Sequence, residues 1–145
     1  MKISKSPYYT HYFLTAFLCL IILVNLSSCA KKLSFSTSAI VPAAEGSVKY
    51  KKDKNDNYAV DLTVTNLSPA DRLIESRNTY VVWVNTDGNG IKNLGQLKSS
   101  SGVFSKTLKS SLNTTTPFKP LSFFITAENA SDITYPDGQV VLKTK

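Results

Sequence analysis

The chain has 145 residues, 42% hydrophobic and 19% charged, a net charge of +7, two cysteines and one histidine. That length holds one ordinary domain, or a small domain behind a targeting segment. The apolar fraction excludes a disordered chain, six glycines and six prolines exclude a collagen-like one, and two cysteines exclude a disulfide scaffold and a four-cysteine zinc site.

Residues 1–11 carry Lys2 and Lys5 and no acid, and Tyr12 to Val24 is apolar except for Thr15. The run falls short of the ~20 residues that span ~30 Å of hydrocarbon as a helix. A basic start followed by a short apolar stretch reads as a secretory signal, so residues 1–28 are expected to be a removable signal peptide. The stretch ends in Leu26-Ser27-Ser28-Cys29, with Leu three positions before the cysteine and two small residues between. These four residues resemble the lipobox of bacterial lipoproteins. The resemblance implies that Cys29 is alkylated by diacylglycerol, becomes the N-terminus and is N-acylated. Small residues suit a peptidase subsite, and the cysteine sulfur is the soft nucleophile that alkylation requires. Several acyl chains anchor firmly without a helix, at about 0.8 kcal/mol per buried CH₂.

Removing 28 residues from 145 leaves 117, and the charge falls from +7 to +5 because Lys2 and Lys5 leave. His11 and Cys19 leave too, and Cys29 is capped. Ser-His-Asp, Cys-His and His-ligated metal chemistry are then excluded. Residues 29–43 are expected as a lipidated tether, with Lys31-Lys32 a solvated basic stem and Leu33–Ile40 either linker or a first strand. Ala30, rather than Asp, follows the cysteine; by resemblance to enterobacterial sorting this favours the outer membrane.

The body, residues 44–145, has a period of two. Val48 and Tyr50 alternate with Ser47, Lys49 and Lys51, and Val60, Leu62 and Val64 alternate with Asp61, Thr63 and Thr65. With the polar stretch Asp53–Asn57 between them, residues 46–66 read as a β-hairpin. Residues 67–77 hold Ser68-Pro69 and read as a loop. Thr79 to Val84 is apolar at successive positions, which suits a central strand buried on both faces. Asp87-Gly88-Asn89-Gly90 turns the chain, and Ile91–Leu97 returns with a bend or bulge at Gly95. Ser99–Gly102 reads as a turn. Val103–Ser110 reads as a strand with Phe104 and Leu108 on one side, and Ser110–Thr116 as a Ser/Thr-rich loop. Leu121, Phe123, Ile125 and Ala127 share one strand face, and Pro136-Asp137-Gly138 turns into the last strand, Gln139–Thr144. Seven or eight short strands with frequent turns predict an all-β fold, a single sandwich or barrel. The expected core is Val60, Leu62, Val64, Tyr80, Val82, Trp83, Val84, Leu94, Leu97, Phe104, Leu108, Phe123, Ile125 and Val141.

Trp83-Val84, Asp87-Gly88, Leu94-Gly95-Gln96-Leu97, Ile125-Thr126-Ala127-Glu128, Pro136-Asp137-Gly138 and Val140-Val141-Leu142, in that order, resemble the extracytoplasmic C-terminal domain of anti-sigma-K-type factors and small secreted bacterial proteins that carry it alone. The resemblance covers about residues 78–143. It implies an immunoglobulin-like β-sandwich of seven to eight antiparallel strands, outside the cytoplasm, with a sensing or partner-contact role. The helical sigma-binding domain and full transmembrane helix of those factors are not read in these residues, so sigma binding is not implied.

Candidate chemistry is sparse. Asp53, Asn55 and Asn57 alternate like the start of a calcium loop, but Tyr58 stands where the loop needs Gly and Val64 where it needs Glu, so a polar turn is the better reading. Asp71 and Glu75 alternate with Arg72 and Arg77 in the loop before the central strand, as a solvated ion-paired loop does. Glu128 ends an apolar strand, where it either faces a cleft or bonds nearby backbone; the second is favoured. Lys49 and Lys51 share a face of a basic hairpin. Lys49, Lys51, Asp71, Arg72, Glu75 and Arg77 are thus the candidate ligand or partner contacts. No catalytic residue, metal, cofactor or nucleic-acid partner is expected. The expected function is a membrane-anchored extracytoplasmic lipoprotein acting as a non-catalytic binding or structural module. An accessory sensor touching an envelope protein partner of a signalling system is the alternative.

Overall fold

The computed structural model describes residues 30–100 and 108–145, together with Tyr12. The expected signal peptide, the lipobox Leu26, Ser27, Ser28 and Cys29, and Phe104 lie outside the described residues.

Nine strands lie in the described chain: β1 (Lys31–Ser34), β2 (Glu45–Lys52), β3 (Tyr58–Thr65), β4 (Thr79–Thr86), β5 (Gly90–Gln96), β6 (Lys98–Ser100), β7 (Lys109–Thr116), β8 (Pro120–Glu128) and β9 (Val140–Lys143). They form two antiparallel sheets, ordered β1-β2-β3-β7-β6 and β5-β4-β8-β9. The fold is an all-β sandwich. Its core lies between the sheets, where Val48, Tyr50, Val60, Leu62 and Val64 meet Val82, Val84, Phe123 and Ile125. The Tyr50 and Phe123 rings cross that interface 5.6 Å apart.

The β2–β3 hairpin forms as its alternation predicts, with Lys49 paired to Asp61 and Lys51 to Ala59. Its turn is held by Asp53, whose Oδ1 accepts from the backbone N–H of Asn55 at 2.7 Å and of Asn57 at 3.0 Å. The lateral openings of the sandwich are crossed by chain. On one side β5 runs through Leu97 directly into β6 of the other sheet, and the Leu97 N–H donates to the Tyr80 carbonyl. On the other side Phe35 bridges Thr144, and Ser36 N–H donates to Lys143 O.

Five expectations need correction. Residues 31–43, expected within the tether, belong to the folded body instead: β1 pairs with β2, and Phe35 and Val41 are buried in the core. Their apolar side chains, spaced among serines and threonines, join the same core cluster as Val48. Ser110–Thr116 is not a loop but β7, paired along its whole length with β3. Its inward residues, Ser110, Leu112, Thr114 and Thr116, are mostly hydroxyl-bearing, so hydropathy does not register the alternation. Ser99-Ser100 belongs to β6 rather than to a turn. The face shared by Phe123, Ile125 and Ala127 does not extend to Leu121, which is 52% exposed. Asn85 pairs with Ser122 and Thr86 with Pro120, so a bulge skips Leu121 and resets the period. Leu108 is likewise exposed, just outside β7.

β4 is buried at nearly every position, as its continuous apolar run predicts. One of its faces meets the other sheet. The opposite face, with Val81 and Trp83, lies outside the inter-sheet core but is buried as well, so Trp83 is covered as expected and the strand is buried on both faces. Opposite Trp83 the β5 register shifts between Asn93 and Gly95, the latter at φ +119°, which puts the bulge where Gly95 announces it.

Replacing Leu121 by Ala is expected to change stability by less than about 0.5 kcal/mol, whereas Ile125→Ala costs about 3 kcal/mol. Urea unfolding of both variants checks this, and comparable losses would refute the bulge.

Candidate functional site

Among the described residues Glu128 is the one buried charged side chain, at 1% exposure. Its carboxylate is fully engaged. Oε1 accepts from the Thr126 hydroxyl at 2.6 Å and from Asp137 N–H at 3.2 Å, and Oε2 accepts from Gly138 N–H at 2.9 Å. The Trp83 indole N–H in turn donates to Thr126 Oγ1 at 2.8 Å. A carboxyl group that accepts three hydrogen bonds from fixed neighbours is held in place by them and turned toward the protein rather than toward solvent. Glu128 thus bonds neighbouring backbone, the favoured reading of its sequence position.

These bonds draw residues 129–139 back over the outer face of the β5-β4-β8-β9 sheet. Asn93 donates from Nδ2 to the carbonyls of Ser131 at 3.0 Å and Ile133 at 2.8 Å, and Asn78 donates to that of Asn129 at 2.9 Å. Gly138 passes so close to β8 that a Cβ on it would sit 1.7 Å from the Ala127 carbonyl oxygen. Only glycine admits this approach.

The loop before β4 is also tightly held. A 3-10 turn at Ala70–Arg72 buries Ala70, Leu67 and Leu73 sit in the core, and Arg77 N–H donates to Ala70 O at 3.1 Å. The Tyr80 hydroxyl donates to Ser68 O at 2.8 Å. Ile74 is left fully exposed at the loop's tip. Of the four ionisable candidates here, Arg77 and Glu75 approach to 3.7 Å, a loose surface pair, and Arg72 is exposed. Asp71 lies apart from them, in a cleft with Asn78, Tyr80, Gln96 and Lys98. Asp71 and Glu75 therefore do not form a facing carboxylate pair.

Lys49 and Lys51 lie elsewhere, on the outward face of the β1-β2-β3-β7-β6 sheet. There they line an open groove of about 630 Å³ with Ala30, Ala59, Asp61, Asn113 and Thr115. Beside it, at the end of the sandwich, a smaller mouth of about 190 Å³ is lined by Lys31, Tyr50, Lys51, Lys52, Tyr58 and Lys119. Lys52 pairs with Asp56 at 2.7 Å and Lys119 with Asp87 at 2.8 Å, and these hydrogen-bonded partners raise both ammonium pKa values. Sequence spacing does not bring Lys119 to this place; it lies between two prolines with no local pattern, and only the meeting of the two sheets sets it beside β1 and β2. No group of three or more His, Cys, Asp or Glu side chains that could hold a metal occurs among the described residues, and no helix there is long and apolar enough to cross a membrane.

No family model, curated protein or solved structure matches the chain.

Burial, reinforced by the Asp71 carboxylate, pushes the Tyr80 phenol up to about 12 from an ordinary value of 10.0. The fold favours the neutral phenol, so this stabilisation is complete below the ordinary value and is lost as pH rises toward 12. The wild type is expected to lose unfolding midpoint more steeply over that window than Tyr80→Phe, which itself costs about 1 kcal/mol at neutral pH through the missing hydrogen bond. Parallel pH profiles of the two proteins in urea would contradict this assignment.

Proposed function

We propose that the chain is an exported lipoprotein, anchored through Cys29 to a membrane facing the periplasm. Its immunoglobulin-like sandwich acts there as a non-catalytic binding or structural module. The observation that carries the non-catalytic reading is Glu128: the one buried carboxylate among the described residues is fully occupied in holding a loop onto the sheet. Residues 30–145 contain no histidine and no cysteine, so acid-base or nucleophilic chemistry would have to come from exposed carboxylates that do not converge. The lipobox residues Leu26, Ser27, Ser28 and Cys29 support the anchor, and Ala30 supports the outer membrane as its site.

The strand order supports the immunoglobulin-like assignment. With β1 set aside, β2, β3, β7 and β6 take the places of strands A, B, E and D, and β5, β4, β8 and β9 those of C′, C, F and G. Trp83 then lies on strand C, as in that fold, although it points away from the inter-sheet core. A rigidly held loop that presents Ile74 between Arg72 and Glu75 supports contact with a protein partner of the envelope at that end.

Metabolic labelling with radioactive palmitate tests the anchor in the native cell. The wild type is expected to carry label, and Cys29→Ala is expected to lose all of it and leave the membrane fraction. A Cys29→Ala protein that keeps the label would overturn the reading.

A further inference from the structure

The two ends of the sandwich differ in charge. One end is made by the start of β1, the β2–β3 turn and the connections β4–β5 and β7–β8; it carries Lys31, Lys51, Lys52, Lys54 and Lys119 against Asp53, Asp56 and Asp87. The opposite end displays Glu45, Asp71, Glu75 and Asp137 against Arg72, Arg77, Lys98 and Lys109, a balanced set, with Glu128 buried beneath it and Asp132 lying over the outer sheet face beside Asn93. The basic end is also where the described chain starts. Lys31 pairs with Tyr50 near the end of β2, and Ala30 lines the same groove as Lys49 and Lys51. Cys29 is one peptide bond before Ala30, a reach of about 3.6 Å. A lipid on that cysteine would hold the basic end, and no other, at the membrane surface.

The mouth between the sheets at this end is lined by four lysines together with Tyr50, Tyr58 and Pro120, and no aspartate or glutamate lines it. Lys52 and Lys119 have aspartate partners, while Lys31 and Lys51 form no ion pair among the described residues. We propose that this mouth, bounded by Lys31, Lys51, Lys52 and Lys119, seats the phosphate of an anionic lipid headgroup, so that the sandwich stands on its basic end with the Ile74 loop directed away from the membrane. Each lysine at an anionic surface contributes about 1 kcal/mol, and the attraction fades within a Debye length, so only groups at this end take part. The inference rests on the lipid anchor at Cys29 and adds to it an orientation and a lipid preference.

The lipidated protein, purified from its own membrane, is reconstituted into vesicles of phosphatidylcholine, with or without phosphatidylglycerol. It is then treated with a membrane-impermeant amine reagent, and the modification rate of each lysine is read by mass spectrometry. Phosphatidylglycerol is expected to slow Lys31, Lys51, Lys52 and Lys119 by about fivefold, the factor that corresponds to about 1 kcal/mol, and to leave Lys98 unchanged. Equal rates in the two vesicles would overturn the headgroup contact, while a diacylglyceryl mass on Cys29 in the same digest would leave the anchor standing. A digest with unmodified Cys29 would overturn both. The same protection from inorganic phosphate added to pure phosphatidylcholine vesicles would overturn the lipid source, making the mouth a site for a soluble anion.

Discussion

The hydrogen-bonded line from the Trp83 indole through the Thr126 hydroxyl to the Glu128 carboxylate, and from there to the backbone of Asp137 and Gly138, is the constraint on which the architecture depends. β4 is the centre of its sheet and is apolar on both faces. An antiparallel sheet ordinarily covers only one face and leaves the other to water. Here the second cover is a segment of irregular chain, and irregular chain must satisfy its backbone polar groups somewhere. The carboxylate takes two of its N–H groups, and the Asn93 and Asn78 side chains serve three of its carbonyls. The buried carboxyl group is tolerable because three donors converge on it, and the same bonds hold the overlying segment in place beside the buried indole.

That arrangement bears on function through what it removes. A buried acid at a strand end, near a turn, is where an active site would be sought. In this molecule the same acid stitches two elements together. The features left free are superficial ones: a lysine-rich end, a polar outer sheet face and a loop that carries one fully exposed isoleucine. Edges are treated in the same spirit, since β1 exposes Lys31 and Lys32 and β5 is broken by its bulge, which discourages pairing with another chain.

Much of the sandwich is legible in the sequence, and the reasons are local. Val60, Leu62 and Val64 contrast sharply with the residues between them, the run from Tyr80 to Val84 has no polar interruption, and Gly95 and Pro136-Asp137-Gly138 mark breaks that the chain indeed makes. What escapes is non-local or lacks contrast. β7 alternates hydroxyl with hydroxyl, so only its pairing with β3 reveals it. Leu121 keeps perfect spacing with Phe123, and only a bulge against β4 turns it outward. Trp83 is recognisable as buried, but which face buries it depends on a loop more than forty residues away in sequence. The candidate contacts share this limit. Lys49 and Lys51 share a face because a strand dictates it, whereas the company of Lys31 and Lys119 requires both sheets.

Trp83 is the single tryptophan of the chain and stacks on Phe124 of β8, so its emission reports the covered outer face of this sheet. Glu128→Gln replaces one acceptor oxygen by an amide that cannot accept from Gly138, and the account predicts a loss of about 2–3 kcal/mol. It predicts in addition that Trp83 becomes open to acrylamide quenching under conditions where the sandwich is still folded. A variant whose Trp83 remains as shielded as the wild type, with unchanged urea midpoint, would contradict the claim that this carboxylate holds the structure together.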